Sequence, residues 1–146
     1  MGRPNKDCPA LKVHGRAMQN CSEETYLGDI ISLDGKNTKN IKSHTSKGLG
    51  IISQIFNILD CTSFSPHNFE IALLLRDSML INGTLYNAEI WYNMTESDIN
   101  ELQNLDNIFF SRLLGVPKST PTETFHLELG VLLMPTIIKA SRILFA

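Results

Sequence analysis

The pattern of apolar and polar positions changes once along the chain. Up to about residue 34 the apolar residues fall in short runs of strand length. Beyond it they recur at intervals of three and four, the spacing of one helix face. Leu11-Lys12-Val13 and Arg16-Ala17-Met18 flank His14-Gly15 and read as two short strands around a turn. Residues 19–24 read as a polar connection. Tyr26 to Leu33 is aromatic and β-branched enough for a strand, closed by the turn dipeptide Asp34-Gly35. A first helix is expected from Thr38 to Leu59, with Ile41, Ile52, Ile55, Phe56 and Leu59 on one side. Gly48 and Gly50 each weaken it by about 1 kcal/mol relative to alanine and mark a bend or a close backbone approach.

Ser65-Pro66 opens a second helix, serine as cap and proline in the first turn. From Phe69 to Ile81 it is apolar nearly all round, as a buried helix is, interrupted by Arg76 and Asp77. Asn82-Gly83 ends or bends it, and residues 84–94, with Glu89 and the single tryptophan Trp91, prolong it or form a packed loop. Thr95 caps a third helix with acids in its first turn; Ile99, Leu102, Leu105, Ile108, Phe109 and Leu113 form its stripe and Gly115 stops it. Thr120-Pro121-Thr122-Glu123 has the form of a capping box for a short helix ending at Gly130. Pro135 opens the last helix. The fold class expected is therefore mainly α: an N-terminal β-hairpin with short strands over 1–35, then a bundle of four to five helices over 36–146.

Composition agrees with a chain that buries a core. The 146 residues are 42% apolar and 19% charged, with no apolar run long enough for a membrane helix. The lead-in Met1–Asp7 is polar, unlike a signal peptide, which sets the expectation of an intracellular protein in nucleus or cytoplasm. Cys8, Cys21 and Cys61 form no C-x-x-C pair and read as free, partly buried thiols. The sequons at Asn20, Asn82 and Asn93 then read as chance matches.

Net charge is −2, yet its distribution is uneven. Residues 35–59 hold Lys36, Lys39, Lys42 and Lys47 and no acid, and where helical the first three would stack on one face. Such a stretch is either a solvated helix face or a track for a phosphate backbone, read by charge rather than by base. Catalytic signatures are missing: there is no G-x-S-x-G, P-loop, G-x-G-x-x-G or H-E-x-x-H. His14, His44, His67 and His126 are scattered and read as surface or packing residues. Glu23-Glu24, the one adjacent carboxylate pair, reads as a solvated turn, and Trp91 as a core-edge anchor in preference to a base-stacking platform.

One ordered set of segments adds a family. Thr25-Tyr26-Leu27-Gly28 with Ile30-Ile31-Ser32 and Asp34-Gly35 resembles the Y-L-G segment that follows the catalytic motifs of non-LTR (LINE-type) retrotransposon reverse transcriptases. The lysine-rich first helix, Ser78 to Trp91, Leu102 to Leu114, Gly115-Val116-Pro117 and Thr120 to Glu123 follow in an order similar to that family's, so the resemblance covers roughly residues 11–146. It implies that 1–35 is a palm-edge remnant carrying a primer-grip hairpin, with Tyr26, Leu27 and Gly28 in the grip, and that 36–146 is thumb-like. Lys36, Lys39, Lys42 and Lys47 would then be backbone contacts at the thumb base, a step that rests on charge alone. The family's Y/F-A-D-D motif has no counterpart, since the chain holds no Asp-Asp pair. Fingers, metal-binding palm and endonuclease would lie outside this chain, and the Mg2+ ions with them, leaving no catalytic residue, metal site or cofactor here. The expectation is a non-catalytic fragment with weak, salt-sensitive binding to an RNA or DNA duplex and no membrane partner. The alternatives are a part of a full RNA-directed DNA polymerase, or a helical protein-interaction module.

Overall fold

A computed structural model describes residues 12–14, 16–17, 21–59, 66–117 and 120–145. The protein is mainly α-helical, with two short antiparallel hairpins ahead of the helices among the described residues. In the first hairpin β1 (Lys12–Val13) pairs with β2 (Arg16–Ala17), with His14 between them at a positive φ of 50°.

The second hairpin corrects the expected single strand over 26–33. β3 (Glu23–Tyr26) pairs with β4 (Asp29–Ser32) in the register Glu23↔Ser32 to Tyr26↔Asp29. The turn falls inside the expected strand, because Leu27 and Gly28 both take positive φ, 50° and 92°. That is the type I′ pattern, whose twist matches the strands it joins. Glu23 and Glu24, expected in a turn, lie on β3, and Cys21 is an exposed free thiol, not a partly buried one. Cys8, Cys61, Asn20 and the Ser65 cap lie outside the described residues.

Five helices follow among the described residues. α1 (Thr38–Leu59) has the expected bounds, so Lys36 precedes the helix and does not stack with Lys39 and Lys42. α2 starts as Pro66–Leu75, passes through a π-helical segment Arg76–Ile81, and ends in the turn Asn82–Thr84. Its inward residues Ala72, Arg76, Leu80 and Thr84 are spaced by four. A four-residue stripe drifts around a helix of 3.6 residues per turn, and the wider π turn takes up part of the drift. The chain then forms a packed loop with a 3-10 turn at Ala88–Ile90.

α3 (Glu96–Leu114) is capped by a reciprocal box: the Thr95 hydroxyl accepts from the Asp98 N–H at 3.2 Å, and Asp98 Oδ2 accepts from the Thr95 N–H at 2.9 Å. The box expected at Thr120 does not form. The Thr120 hydroxyl donates to the Pro117 carbonyl at 2.8 Å, and α4 (Thr122–Leu129) starts later without a side-chain cap. α5 (Met134–Phe145) ends the described chain. No helix among the described residues is long and apolar enough to cross a membrane.

Two clusters make the core. The larger gathers Ile52, Ile55 and Phe56 of α1, Leu80 of α2, Leu105, Phe109 and Phe110 of α3, and Phe125 of α4. The smaller gathers Ile41, Leu85, Trp91, Leu102, Met134 and Ile138. Each large side chain so buried contributes roughly 1.5–3 kcal/mol. α1 and α3 cross closely at Gly48, where a Cβ would stand 2.4 Å from Leu105 Cδ2 and 2.8 Å from Thr84 Oγ1. Gly50 faces open space, so of the two glycines only Gly48 marks a close approach.

Arg76 is buried beside the larger cluster. Its Nε and Nη2 donate to the two carboxylate oxygens of Asp106 at 2.7 and 2.6 Å, and Nη1 donates to Asp77 at 2.7 Å. Burial opposes the charge on Arg76, but Asp106 and then Asp77 outweigh it, so the guanidinium holds its proton more tightly than usual. His126 joins the group with both ring nitrogens bonded: Nδ1 faces the Val131 carbonyl at 3.2 Å, and Nε2 accepts from Gln103 at 3.1 Å.

Two predictions follow from this packing. Gly48→Ala should destabilise by about 1–3 kcal/mol through overpacking, while Gly50→Ala should stabilise by up to about 1 kcal/mol; urea midpoints separate the two. Asp106→Ala takes the buried carboxylate from Arg76 Nε and Nη2, leaving it only the exposed Asp77 as a charge partner, and should cost about 3–5 kcal/mol, whereas the joint change Arg76→Met with Asp106→Leu should recover most of it. A double-mutant cycle in urea reads this directly.

Candidate functional site

The residues singled out by sequence lie in two places that β4 joins. Tyr26 ends β3, and Leu27 and Gly28 form the hairpin tip, with both large side chains about two-thirds exposed. Lys36 is exposed in the loop before α1. Lys39, Lys42 and Lys47 are exposed on α1, while Asn40, Ile41, His44, Gly48 and Ile52 face inward. Among the described residues no acid stands on α1 itself. Lys39, however, pairs with Glu23 on β3, which raises its pKa through that hydrogen bond and charge. Exposed pairs of this kind add little stability, but they do reduce the charge offered to a ligand.

The link between hairpin and helix is Asp29, the first residue after the tip. Its side chain is buried, with 6% of the residue exposed. Oδ1 accepts from Asn40 Nδ2 at 2.8 Å, from His44 Nε2 at 3.0 Å and, more weakly, from Trp91 Nε1 at 3.4 Å. Oδ2 accepts from Asn87 Nδ2 at 2.7 Å. Asn40 also accepts from the Ile30 N–H at 2.9 Å, so it holds strand backbone and carboxylate together. Burial pushes the Asp29 carboxyl up, but the hydrogen bonds from Asn40, Asn87 and His44 outweigh it. The group sits below the ordinary aspartate value.

Around this carboxylate the loop after α2 is fixed from both sides. Asn87 takes a left-handed φ of 60°, which an asparagine tolerates. The Trp91 ring is buried and meets His44 edge-on with centroids 4.9 Å apart. Asn37 donates to the Tyr92 carbonyl, and Arg142 of α5 donates to the Trp91 carbonyl and reaches Met94 Sδ at 3.2 Å. His44 Nδ1 has no hydrogen-bond partner. Trp91 is thus an anchor, while its neighbour Tyr92 is 70% exposed. A cleft of about 410 Å3 opens here, between β4 and the turn at residues 90–93, with Lys36 and Asn37 along it.

No family model, no curated protein and no solved structure matches this chain. The site is therefore read from its own chemistry. Among the described residues no group of three or more His, Cys, Asp or Glu side chains gathers to hold a metal ion. What the arrangement offers is an exposed cationic helix face beside a hairpin held rigidly by a buried carboxylate. Of this group the sequence reading missed Asp29, Asn40 and Asn87, and it took His44 as a surface or packing residue, which its burial against Trp91 bears out without showing its bond to a carboxylate. The signal for two of them was present: Asn40 and His44 stand four apart on the inner side of an otherwise apolar helix stripe.

The Asp29 tie makes a pH prediction. The unfolded value is about 3.9 and the folded value lies lower, so the stabilisation is fully present above the unfolded value and is lost as pH falls through the folded one. Asp29→Asn should cost about 1–3 kcal/mol at neutral pH, because donors are left facing an amide N–H2. The gap between wild type and variant, followed by urea titration, should stay constant above about pH 5 and narrow below the ordinary aspartate value. A gap that does not narrow rules out an ionised tie.

Proposed function

We propose that the chain is the primer-grip and thumb part of a protein resembling a non-LTR reverse transcriptase, non-catalytic by itself, and that it binds nucleic-acid backbone without sequence preference. The observation that carries the reading is the outer face of α1. Lys42 and Lys47 have no ion-pair partner among the described residues, with Lys39 beside the Glu23 carboxylate and Lys36 in the loop just before. No acid occupies the first turn of α1, so the helix N-terminus adds to the positive field. Cations spread along a rigid helix suit phosphates spaced along a strand. Contacts to phosphates carry no sequence information, so binding of this kind is charge-driven and the duplex can be RNA or DNA.

The tight turn at Leu27-Gly28 and the absence of an Asp-Asp pair support the rest of the reading. The first gives the Y-L-G segment the hairpin shape that the resemblance implies. The second leaves the polymerase family's metal-holding aspartates without a counterpart in this chain. A helical interaction module is favoured by a different observation, the exposure of Ile143, Leu144 and Phe145 at the end of α5.

Titration of a labelled duplex at about 50 and 200 mM salt tests the proposal. Affinity should fall steeply with salt. Lys42→Ala and Lys47→Ala should each weaken binding and reduce the slope of log affinity against log salt by just under 1. Lys39→Ala should do less, and Glu23→Gln, which frees Lys39, should tighten binding. Absence of binding at the lower salt overturns the proposal and leaves the interaction module.

A further inference from the structure

The lysine face does not account for the cleft between β4 and the turn at residues 90–93. Its volume of about 410 Å3 lies in the range of small-ligand sites. Ile30, Ile31, Trp91 and Tyr92 are among its lining residues, with Lys36 and Asn37 among the polar ones. Tyr92 keeps 70% of its surface exposed although its neighbours in the chain are pinned. Asn37 holds its own carbonyl, Arg142 holds that of Trp91, and Trp91 is buried. The ring is therefore presented from a fixed backbone, so little order is lost when something stacks on it.

The electrostatics narrow the occupant. Asp29 at the floor has both oxygens taken by donors of the protein. Asp34 accepts from the Ser32 hydroxyl at 2.6 Å and the Lys36 N–H at 3.0 Å, and the Lys36 side chain beside it is exposed. Apolar lining residues, an exposed aromatic ring and a cation among the lining fit a flat ring joined to an anion. We infer that the cleft receives one unpaired nucleobase of a single strand, stacked on Tyr92 with its phosphate at Lys36. The inference rests on the backbone-binding reading above and adds to it a preference for unpaired bases. Base–aromatic stacking tolerates any base, so it needs no sequence-specific contact.

The test compares a labelled oligothymidylate with an abasic strand of the same length and charge, by fluorescence anisotropy on the full chain. The ordinary strand should bind at least about fivefold more tightly. Tyr92→Ala should remove that ratio and leave abasic binding and the salt slope unchanged, while Tyr92→Phe should keep the ratio. Equal binding of the two strands, with salt sensitivity intact, overturns the inference and leaves the lysine reading standing. A ratio that survives Tyr92→Ala also overturns it. If neither strand nor duplex binds at low salt, both readings fall.

Discussion

A single buried carboxylate governs how this protein is put together. A two-stranded hairpin is marginal in water by itself, and β3–β4 buries little apolar surface of its own, with Tyr26, Leu27, Ile31 and Leu33 all exposed. Its position is set instead by Asp29. Once that side chain leaves water, every lone pair must find a donor, and the donors come from α1 and from the loop after α2. Three segments distant in sequence are thereby brought into one arrangement. Asn40 and His44 of α1 and Asn87 and Trp91 of the loop all turn their donors to that one group.

The molecule uses the same device a second time. Arg76 and Asp106 form a buried bidentate pair among aromatic side chains, with the guanidinium 5.1 Å from the centre of the Phe110 ring. Buried pairs of this sort add little net stability over an apolar core of the same volume, because desolvation consumes most of the attraction. Their value here is directional. Apolar clusters alone would let helices slide or rotate, whereas the Arg76 fork admits one relation between α2 and α3. The Asp29 group does the same for hairpin, α1 and loop. Each core cluster has one polar group that selects among ways of packing it.

Most of the helical architecture was legible in the sequence, for reasons that can be named. Apolar spacing and strong local signals delimit α1 and α3: Thr95 at one end and Gly115 at the other act through neighbours only a few residues away. Local signals misled where two were available. Thr120 could cap a helix or bond back to Pro117, and it does the second. The β3–β4 turn was hidden because Leu27, a residue that resists positive φ, occupies a position where asparagine would have announced it. Of the candidate site, the lysine face was readable because it is contiguous. The Asp29 group was not, since its members lie up to 62 residues apart and only folding makes them neighbours.

The π-helical segment of α2 has a consequence for how this chain can vary. A helix converts position along the sequence into direction, so gaining or losing one residue turns everything beyond it. Arg76–Ile81 absorbs one such step, allowing Arg76 to point at Asp106 while Thr84, Leu85 and Ala88 still point into the protein. The heading of the Asn87–Trp91 loop, and with it the donor that reaches Asp29, is stored as a count of residues rather than as the identity of any one. Substitutions along α2 change contacts one at a time. A one-residue deletion within Arg76–Ile81 can be taken up by a return to an α turn, whereas one elsewhere along α2 would rotate the loop away from its carboxylate.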